Sequence, residues 1–408
     1  MDRRDADALD AADPLARFRD AFDLPPGVIY LDGNSLGPLP RTAAARVERA
    51  VRDEWGQGLI ASWNTAGWIE APQRLGAKVA RLIGAGPSEV AVADSTSVNL
   101  FKLAAGALSL RPGRRTIITE HGNFPTDVYV LEGLCAQAGA TLKVLPPQEV
   151  LAAMDADTAA VVLTHVHYKT ARRWDMVAVT KAVQAKGALM LWDLAHTAGA
   201  LACDLNGAGA DLAVGCGYKY LNGGPGAPAF LFVAERHQAA IRSPLSGWMG
   251  HAAPFAFEDR YRPAADIRTM LCGTPSILGL AALEAGLDLQ LEADTKTVEA
   301  KGLSLCRLFI QLVEARCAGH GLALAGPREM EDRGLHVSFA HPEGYALVQA
   351  LIARGVVGDF RDPDIARFGF SPLYLSHADV WDAVEILREV LESRAFEAPQ
   401  FRTRAAVT

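Results

Sequence analysis

The chain has 408 residues, half of them hydrophobic and about a fifth charged, a balance that suits one large folded domain plus a smaller one. A formal charge of -7 gives no electrostatic reason to expect nucleic acid or an anionic membrane as partner, and no run approaches the ~20 apolar residues of a membrane span. The opening MDRRDADALDAADPLARF is charged and lacks the apolar core of a secretory signal, and six scattered cysteines form no CxxC or His-x-Cys cluster. The expectation is a cytoplasmic protein with reduced thiols and no metal site.

In chain order, residues 1–57 form an N-terminal segment expected to pack beside the smaller domain. Residues 58–280 alternate two signals. Short apolar, β-branched runs occur at Arg115 to Thr119, Ala159 to Thr164, Ala188 to Trp192, Asp211 to Val214 and Ala227 to Val233. Between them lie amphipathic stretches such as Met176 to Lys186. Strands alternating with helices predict an α/β domain with a largely parallel sheet. Residues 281–408 differ. A helical pattern runs from Ser276 to Ala315 with a break near Asp294. A strand-like run, Leu335 to Phe339, and helices at Tyr345 to Ala353 and Ala378 to Ser393 follow. This mixture predicts a smaller α+β domain.

Asp193 ends an apolar run in LMLWDLAHTAG. In parallel sheets, ligands bind at the carboxyl ends of strands. A carboxylate there either caps the following turn or pairs with a cation such as a protonated ring nitrogen. Lys219, in GCGYKYLNGGPGAPAF, follows a second apolar run and precedes glycines that permit close backbone approach. Alone it would be an ordinary solvated lysine. A strand-end Asp followed by a strand-end Lys is what pyridoxal phosphate needs: the lysine forms a Schiff base and the carboxylate keeps the pyridine nitrogen protonated. Ser95, Thr96 and Ser97 lie where a helix should begin. They are either a plain cap or donors to a phosphate, with the Tyr218 hydroxyl as a further donor. Phe124, in HGNFPTD after the first run, either packs or stacks on a ring, with Asp127 able to reach the ring substituents.

These segments resemble the kynureninases, a family within the class-V aminotransferase-like branch of fold-type I pyridoxal-phosphate enzymes. YLDGNSLGPLP (Tyr30 to Pro40), SWNTAGW (Ser62 to Trp68), STSVNL, NFPTD, WDLAHTAGA, GYKYLNGGPGAPAF, GWMGH (Gly247 to His251), CGTPSI (Cys272 to Ile277) and RFGFSPLY (Arg367 to Tyr374) occur in that family's order.

The resemblance implies a large cofactor-binding domain with a mainly parallel, mixed sheet, and a homodimer whose phosphate site is completed by Trp248 and Thr274 of the second copy. It implies Lys219 as Schiff-base lysine and proton carrier, Asp193 on the pyridine nitrogen, and His196 at the cofactor's rim. Phe124 would stack on the ring, with Thr126 and Asp127 beside it. Thr96, Ser97 and Tyr218 would hold the phosphate, and Thr164 would border the ring's 3-oxygen. Arg367 would clamp the substrate carboxylate, as bidentate geometry favours; a salt bridge to Asp362 or Asp364 is the plainer alternative. Ser35 and Trp63 join it as substrate-binding candidates. Trp68 is a second candidate wall for an aryl pocket, and His165 and His167 are expected to be strand-end histidines without a catalytic role. The implied reaction is hydrolysis of L-kynurenine, or its 3-hydroxy form, to anthranilate or 3-hydroxyanthranilate and L-alanine, in tryptophan catabolism. Tyr218 is the candidate proton relay.

Two rivals stand beside this reading. A cysteine desulfurase or β-lyase of the same branch needs a reactive cysteine on a mobile loop, and none of the six is so placed in the sequence pattern. A non-catalytic regulatory protein on the same fold should have lost Lys219 or Asp193.

Overall fold

The computed structural model describes residues 2–404. Seven strands form the central sheet: β1 (Val90–Val92), β2 (Thr116–Glu120), β3 (Thr141–Leu145), β4 (Thr158–Thr164), β5 (Leu189–Asp193), β6 (Leu212–Gly215) and β7 (Phe230–Val233). Their order is β1-β7-β6-β5-β4-β2-β3. Strand β7 runs antiparallel to both neighbours, and the other pairs are parallel. The α/β reading with a mixed, mainly parallel sheet therefore holds.

Every residue of β4 and β5 is buried, which is why these strands read as continuous apolar runs instead of alternating ones. Alternate side chains still point to opposite faces. Val161, Leu163, Met190 and Trp192 pack against α1 (Ala71–Ile83), α4 (Met176–Ala185) and α5 (Ile277–Leu291). Ala160, Val162, Leu189 and Leu191 pack against α2 (Thr96–Leu110) and α3 (Pro125–Ala138). The parallel strands deliver their carboxyl ends to one edge, where Thr164 is in register with Asp193 and Asp193 with Val214.

Beyond α5 lie α6 (Thr295–Arg316), β8 (Ala323–Leu324), β9 (His336–Ala340), α7 (Gly344–Ile352), β10 (Asp359–Arg361), β11 (Ile365–Gly369) and α8 (His377–Glu392). The four strands form an antiparallel sheet in the order β8-β9-β11-β10. The helical break falls where Asp294 caps α6, its carboxylate accepting from Thr297 N at 2.8 Å. The N-terminal strand Ile29–Tyr30 pairs in parallel with Val356–Val357. Leu15, Phe18, Phe22 and Leu31 share one apolar cluster with Val337, Phe339, Phe368 and Leu387.

The segment after Tyr30 reaches back to the large sheet. Gly37 N donates to the carbonyl of Tyr218 at 2.8 Å. A Cβ on Gly37 would meet the Lys219 carbonyl oxygen at 2.4 Å, so only glycine permits this approach.

Candidate active site

A cavity of about 160 Å³ opens at the carboxyl edge of the large sheet. It is lined by Thr96, Ser97, Phe124, Thr126, Asp127, Thr164, Asp193, His196, Tyr218 and Lys219, together with Tyr168 and Ala195. All ten of the first group were singled out from the sequence. The fold explains their meeting. Thr164 and Asp193 end adjacent parallel strands. Thr96 and Ser97 open α2, capped by Ser95, whose hydroxyl accepts from Val98 N at 3.3 Å. Phe124 is the N-cap of α3, with Pro125, Thr126 and Asp127 in its first turn. Tyr218 and Lys219 lie on the loop between β6 and β7.

The carboxylate of Asp193 accepts from Ala195 N at 2.7 Å. The turn-capping and ligand-facing readings of this residue are thus compatible. Asp127 and Asp193 hydrogen-bond each other. Burial pushes both carboxyls above the ordinary range. Asp127 rises far, with the charge of Asp193 adding to its burial, while the Lys219 ammonium draws Asp193 back. Two buried carboxyls this close hold one proton between them, and Asp127 keeps it. Lys219 Nζ lies 3.2 Å from His196 Nε2. Burial, then the Lys219 charge, holds His196 well below the usual histidine range, so this imidazole is neutral. Burial likewise raises the Tyr218 phenol, which stays protonated.

Thr274 lines a second cavity of about 470 Å³, which shares Thr96, Ser97 and Tyr218 with the first. Trp248 lines neither of these cavities. It stacks edge-on against Trp63 at 5.8 Å, and Trp63 against Trp68 at 6.2 Å. His165 bonds to Thr197 at 2.9 Å and His167 to the Gly122 carbonyl at 2.7 Å. Burial lowers them to about 3 and about 4, and neither lines the 160 Å³ cavity.

Arg367 is 2% exposed. Its partner is neither Asp362 nor Asp364 but Asp359, directly opposite it across β10 and β11. Arg367 Nε donates to Asp359 Oδ1 at 2.7 Å and Nη2 donates to Oδ2. Nη2 also donates to Ser35 Oγ at 2.9 Å, and Nη1 to the Tyr168 carbonyl at 2.6 Å. The structure thus brings Ser35 to Arg367, and Tyr168 joins this cluster to the cavity. Asp32 and Arg361 complete it. Burial and the nearby Asp359 charge push Asp32 up to about 7.

The donor set can be tested against a phosphorylated pyridine aldehyde. Thr96 Oγ1 and His196 Nδ1 are buried without a hydrogen-bond partner, and such groups call for one. The lining of one cavity gathers the hydroxyls of Thr96 and Ser97 at the start of a helix, that of Tyr218, the carboxyl pair of Asp127 and Asp193, and the primary amine of Lys219. Phe124 lines the cavity, 40% exposed, with its ring edge-to-face with Tyr168 at 5.3 Å. These residues fit the group.

Sequence reasoning passed over Asn123, Tyr168, Asp359 and His336. Asn123 Oδ1 accepts from the Thr164 hydroxyl and from Phe124 N, fixing the turn into α3. Its place in HGNFPTD was the available signal. Asp359 had none, because its importance lies in a strand register. Among the described residues, no group of three or more His, Cys, Asp or Glu is arranged to hold a metal, and no helix is long and apolar enough to cross a membrane.

Residues 298–387 match the family model described as the kynureninase C-terminal domain. The chain is 54% identical over 413 aligned positions to a protein named kynureninase from Burkholderia mallei (strain SAVP1), covering 100% of this chain and 99% of the relative. It is 53% identical, with the same coverage, to a kynureninase from Pseudomonas fluorescens. Among solved structures, the cysteine desulfurase CsdA from Escherichia coli superimposes with a TM-score of 0.78 at 19% identity, over 93% of this chain and 98% of that one. A C-DES mutant with glycine covalently linked to its pyridoxal-phosphate cofactor gives 0.77 at 17%, over 90% and 98%. At such identities the two structures speak for the fold alone.

Proposed function

The chain belongs to the kynureninase family, and from that premise we propose which of its residues carry the reaction. It is a pyridoxal-phosphate-dependent hydrolase of a carbon–carbon bond, converting L-kynurenine to anthranilate and L-alanine. The observation that carries the assignment of roles is the 160 Å³ cavity whose lining gathers Lys219, the hydroxyls of Thr96, Ser97 and Tyr218, and the carboxyl pair of Asp127 and Asp193.

Thr96, Ser97, the Tyr218 hydroxyl and the start of α2 hold the phosphate. Phe124 takes the ring face, with Thr126 beside it and Thr164 at the 3-oxygen. Asp193 takes the ring nitrogen. When bound, the cofactor supplies an electron sink for the bonds at the substrate's α-carbon.

Lys219 Nζ takes the α-proton and returns it. His196, neutral and 3.2 Å away, orients this amine without adding a competing charge. Asp193 contributes the negative charge of the carboxyl pair and Asp127 its proton. Water must then add to the carbonyl beside the aryl ring. The protonated Tyr218 phenol donates to the oxygen that becomes negative there. Arg367 and Ser35 hold the substrate's α-carboxylate, and Trp63 and Trp68 wall the aryl ring. Trp248 and Thr274 complete the phosphate site of a second copy in a homodimer. The N-terminal segment 1–57 packs with the small domain 281–408 through Leu15, Phe18, Phe22 and Leu31, beside the cofactor-binding 58–280, in a cytoplasmic enzyme that also accepts the 3-hydroxy substrate.

The desulfurase alternative needs a thiolate. Burial instead pushes the thiols up, Cys306 and Cys317 to about 11 and Cys203 to about 12. Retention of Lys219 and Asp193 argues against a silent binding protein.

The test is an absorbance spectrum of the purified protein, then addition of L-kynurenine while following anthranilate fluorescence. A yellow protein that releases anthranilate is expected. A colourless protein that pyridoxal phosphate does not reconstitute would overturn the role of Lys219. A yellow one active only on cysteine would favour the alternative.

A further inference from the structure

Lys102 takes no part in the site as described, yet it is completely buried. It lies on α2 among Leu100, Leu103 and Ala104, where an ammonium group is costly unless it is paired. Its Nζ donates to Asp94 Oδ2 at 2.7 Å and to the Met270 carbonyl at 2.6 Å.

Both acceptors lead into the lining of the 470 Å³ cavity: Asp94 lines it, and Met270 directly precedes Leu271, which also does. Asp94 turns the chain from β1 into the Ser95 cap. It has a φ of +50°, a left-handed conformation that non-glycine residues adopt only when held there. Its carbonyl accepts from Ala229 N at 2.9 Å and its carboxylate is held by Lys102. Thr96 and Ser97 follow directly. Met270 leads into Leu271, Cys272, Gly273 and Thr274. The Cys272 carbonyl accepts from Met249 N at 3.1 Å, so this segment also carries the backbone beside Trp248.

We propose that Lys102 is a positioning residue for the phosphate end of the site: it fixes the Asp94 turn that presents Thr96 and Ser97, and ties to it the Met270–Thr274 segment beside the same cavity. This rests on the reading of Thr96 and Ser97 as phosphate donors. Lys102 bonds to none of Asp127, Asp193 or Lys219, which serve the pyridine ring. Its loss should therefore be felt through the phosphate and not through the ring.

The experiment titrates the full-length chain, freed of cofactor, with pyridoxal phosphate and separately with pyridoxal, following tryptophan fluorescence. Lys102→Met is expected to weaken pyridoxal phosphate by about tenfold or more while pyridoxal changes by less than about twofold. Should Lys102→Met not fold, Asp94→Asn serves, since the Asp94 side chain is 32% exposed and keeps its shape. A selective loss of about threefold is expected there. Equal weakening of both ligands, or unchanged pyridoxal phosphate affinity in the folded variant, overturns the proposal. Thr96→Ala combined with Ser97→Ala separates the two readings. If that double variant loses the preference for the phosphorylated ligand and Lys102→Met retains it, only the role of Lys102 fails. If the double variant retains the preference, the phosphate reading fails and the proposal with it.

Discussion

At the cavity, Thr96 Oγ1 and His196 Nδ1 are buried and unpartnered. A short distance away, the guanidinium of Arg367 already grips a carboxylate, that of Asp359, through Nε and Nη2. Both regions have polar atoms left over, Asp32 Oδ1 and Arg361 Nε among them at the second, but there the protein also supplies the very group that a substrate would bring. The end proposed for the cofactor is therefore preformed. The carboxylate end must add substrate to the remaining donors of Arg367 and Arg361, or exchange Asp359 for it.

The largest effect expected from breaking this contrast is at Lys219. Lys219→Ala should lower turnover by about 10⁴-fold or more and remove the Schiff-base absorbance band. A variant that keeps both band and turnover would end the assignment. Next comes the carboxyl pair. Asp193→Asn should cost roughly a thousandfold in kcat, whereas Asp127→Asn should cost less than about tenfold, because an amide can replace a carboxyl that already holds its proton. Equal losses in steady-state kinetics would place the proton on the other partner.

At the second region, Arg367→Ala should raise KM by about a hundredfold with much less change in kcat. It should also lower stability by about 2–3 kcal/mol, because buried Asp359 keeps only Arg361 and Ser35 as partners, a change read from the urea midpoint. Unchanged kinetics would locate the carboxylate clamp elsewhere.

The smallest effect concerns Asp32, whose folded pKa of about 7 lies above the ordinary 3.8. The folded state holds a proton that the unfolded state has released, so stability from this group falls as pH rises from about 4 to about 7. The stability advantage of Asp32→Asn over the parent should grow between about pH 4 and pH 7 and level off above that. A constant difference in urea midpoint would mean that Asp32 does not titrate in this window.

The same contrast marks what could be read from the sequence. Strands β4 and β5 were legible because burial on both faces makes them unbroken apolar runs; the end of β5 named Asp193, and Thr164 at the end of β4 was named through the family resemblance. Strand β11 was not, because Arg367 sits at its centre and interrupts the pattern. Only the cross-strand register with Asp359 explains how a buried arginine is tolerated. Strand β1 has three residues, too few for a periodicity. Strand β3 lies at the sheet edge, partly exposed, and lacks the apolar signature. Lys102 was hidden for another reason: in sequence it is one lysine in an amphipathic stretch, and its partners are 8 and 168 positions away.

The pairing of Ile29–Tyr30 with Val356–Val357, and of Leu31 with Gly369, has a consequence for biosynthesis. The strand at Ile29 emerges from the ribosome about 340 residues before Gly369, which at ordinary elongation rates is roughly 20 to 70 s. Throughout that interval Leu15, Phe18 and Phe22 lack most of the core they are destined for, which makes the nascent N-terminus a natural client for a chaperone. The seven-stranded sheet is complete once Val233 has been made, so the 160 Å³ cavity can take shape during translation. Ser35 meets Arg367 only near the end, and the part of the site assigned to the substrate is the last to be assembled.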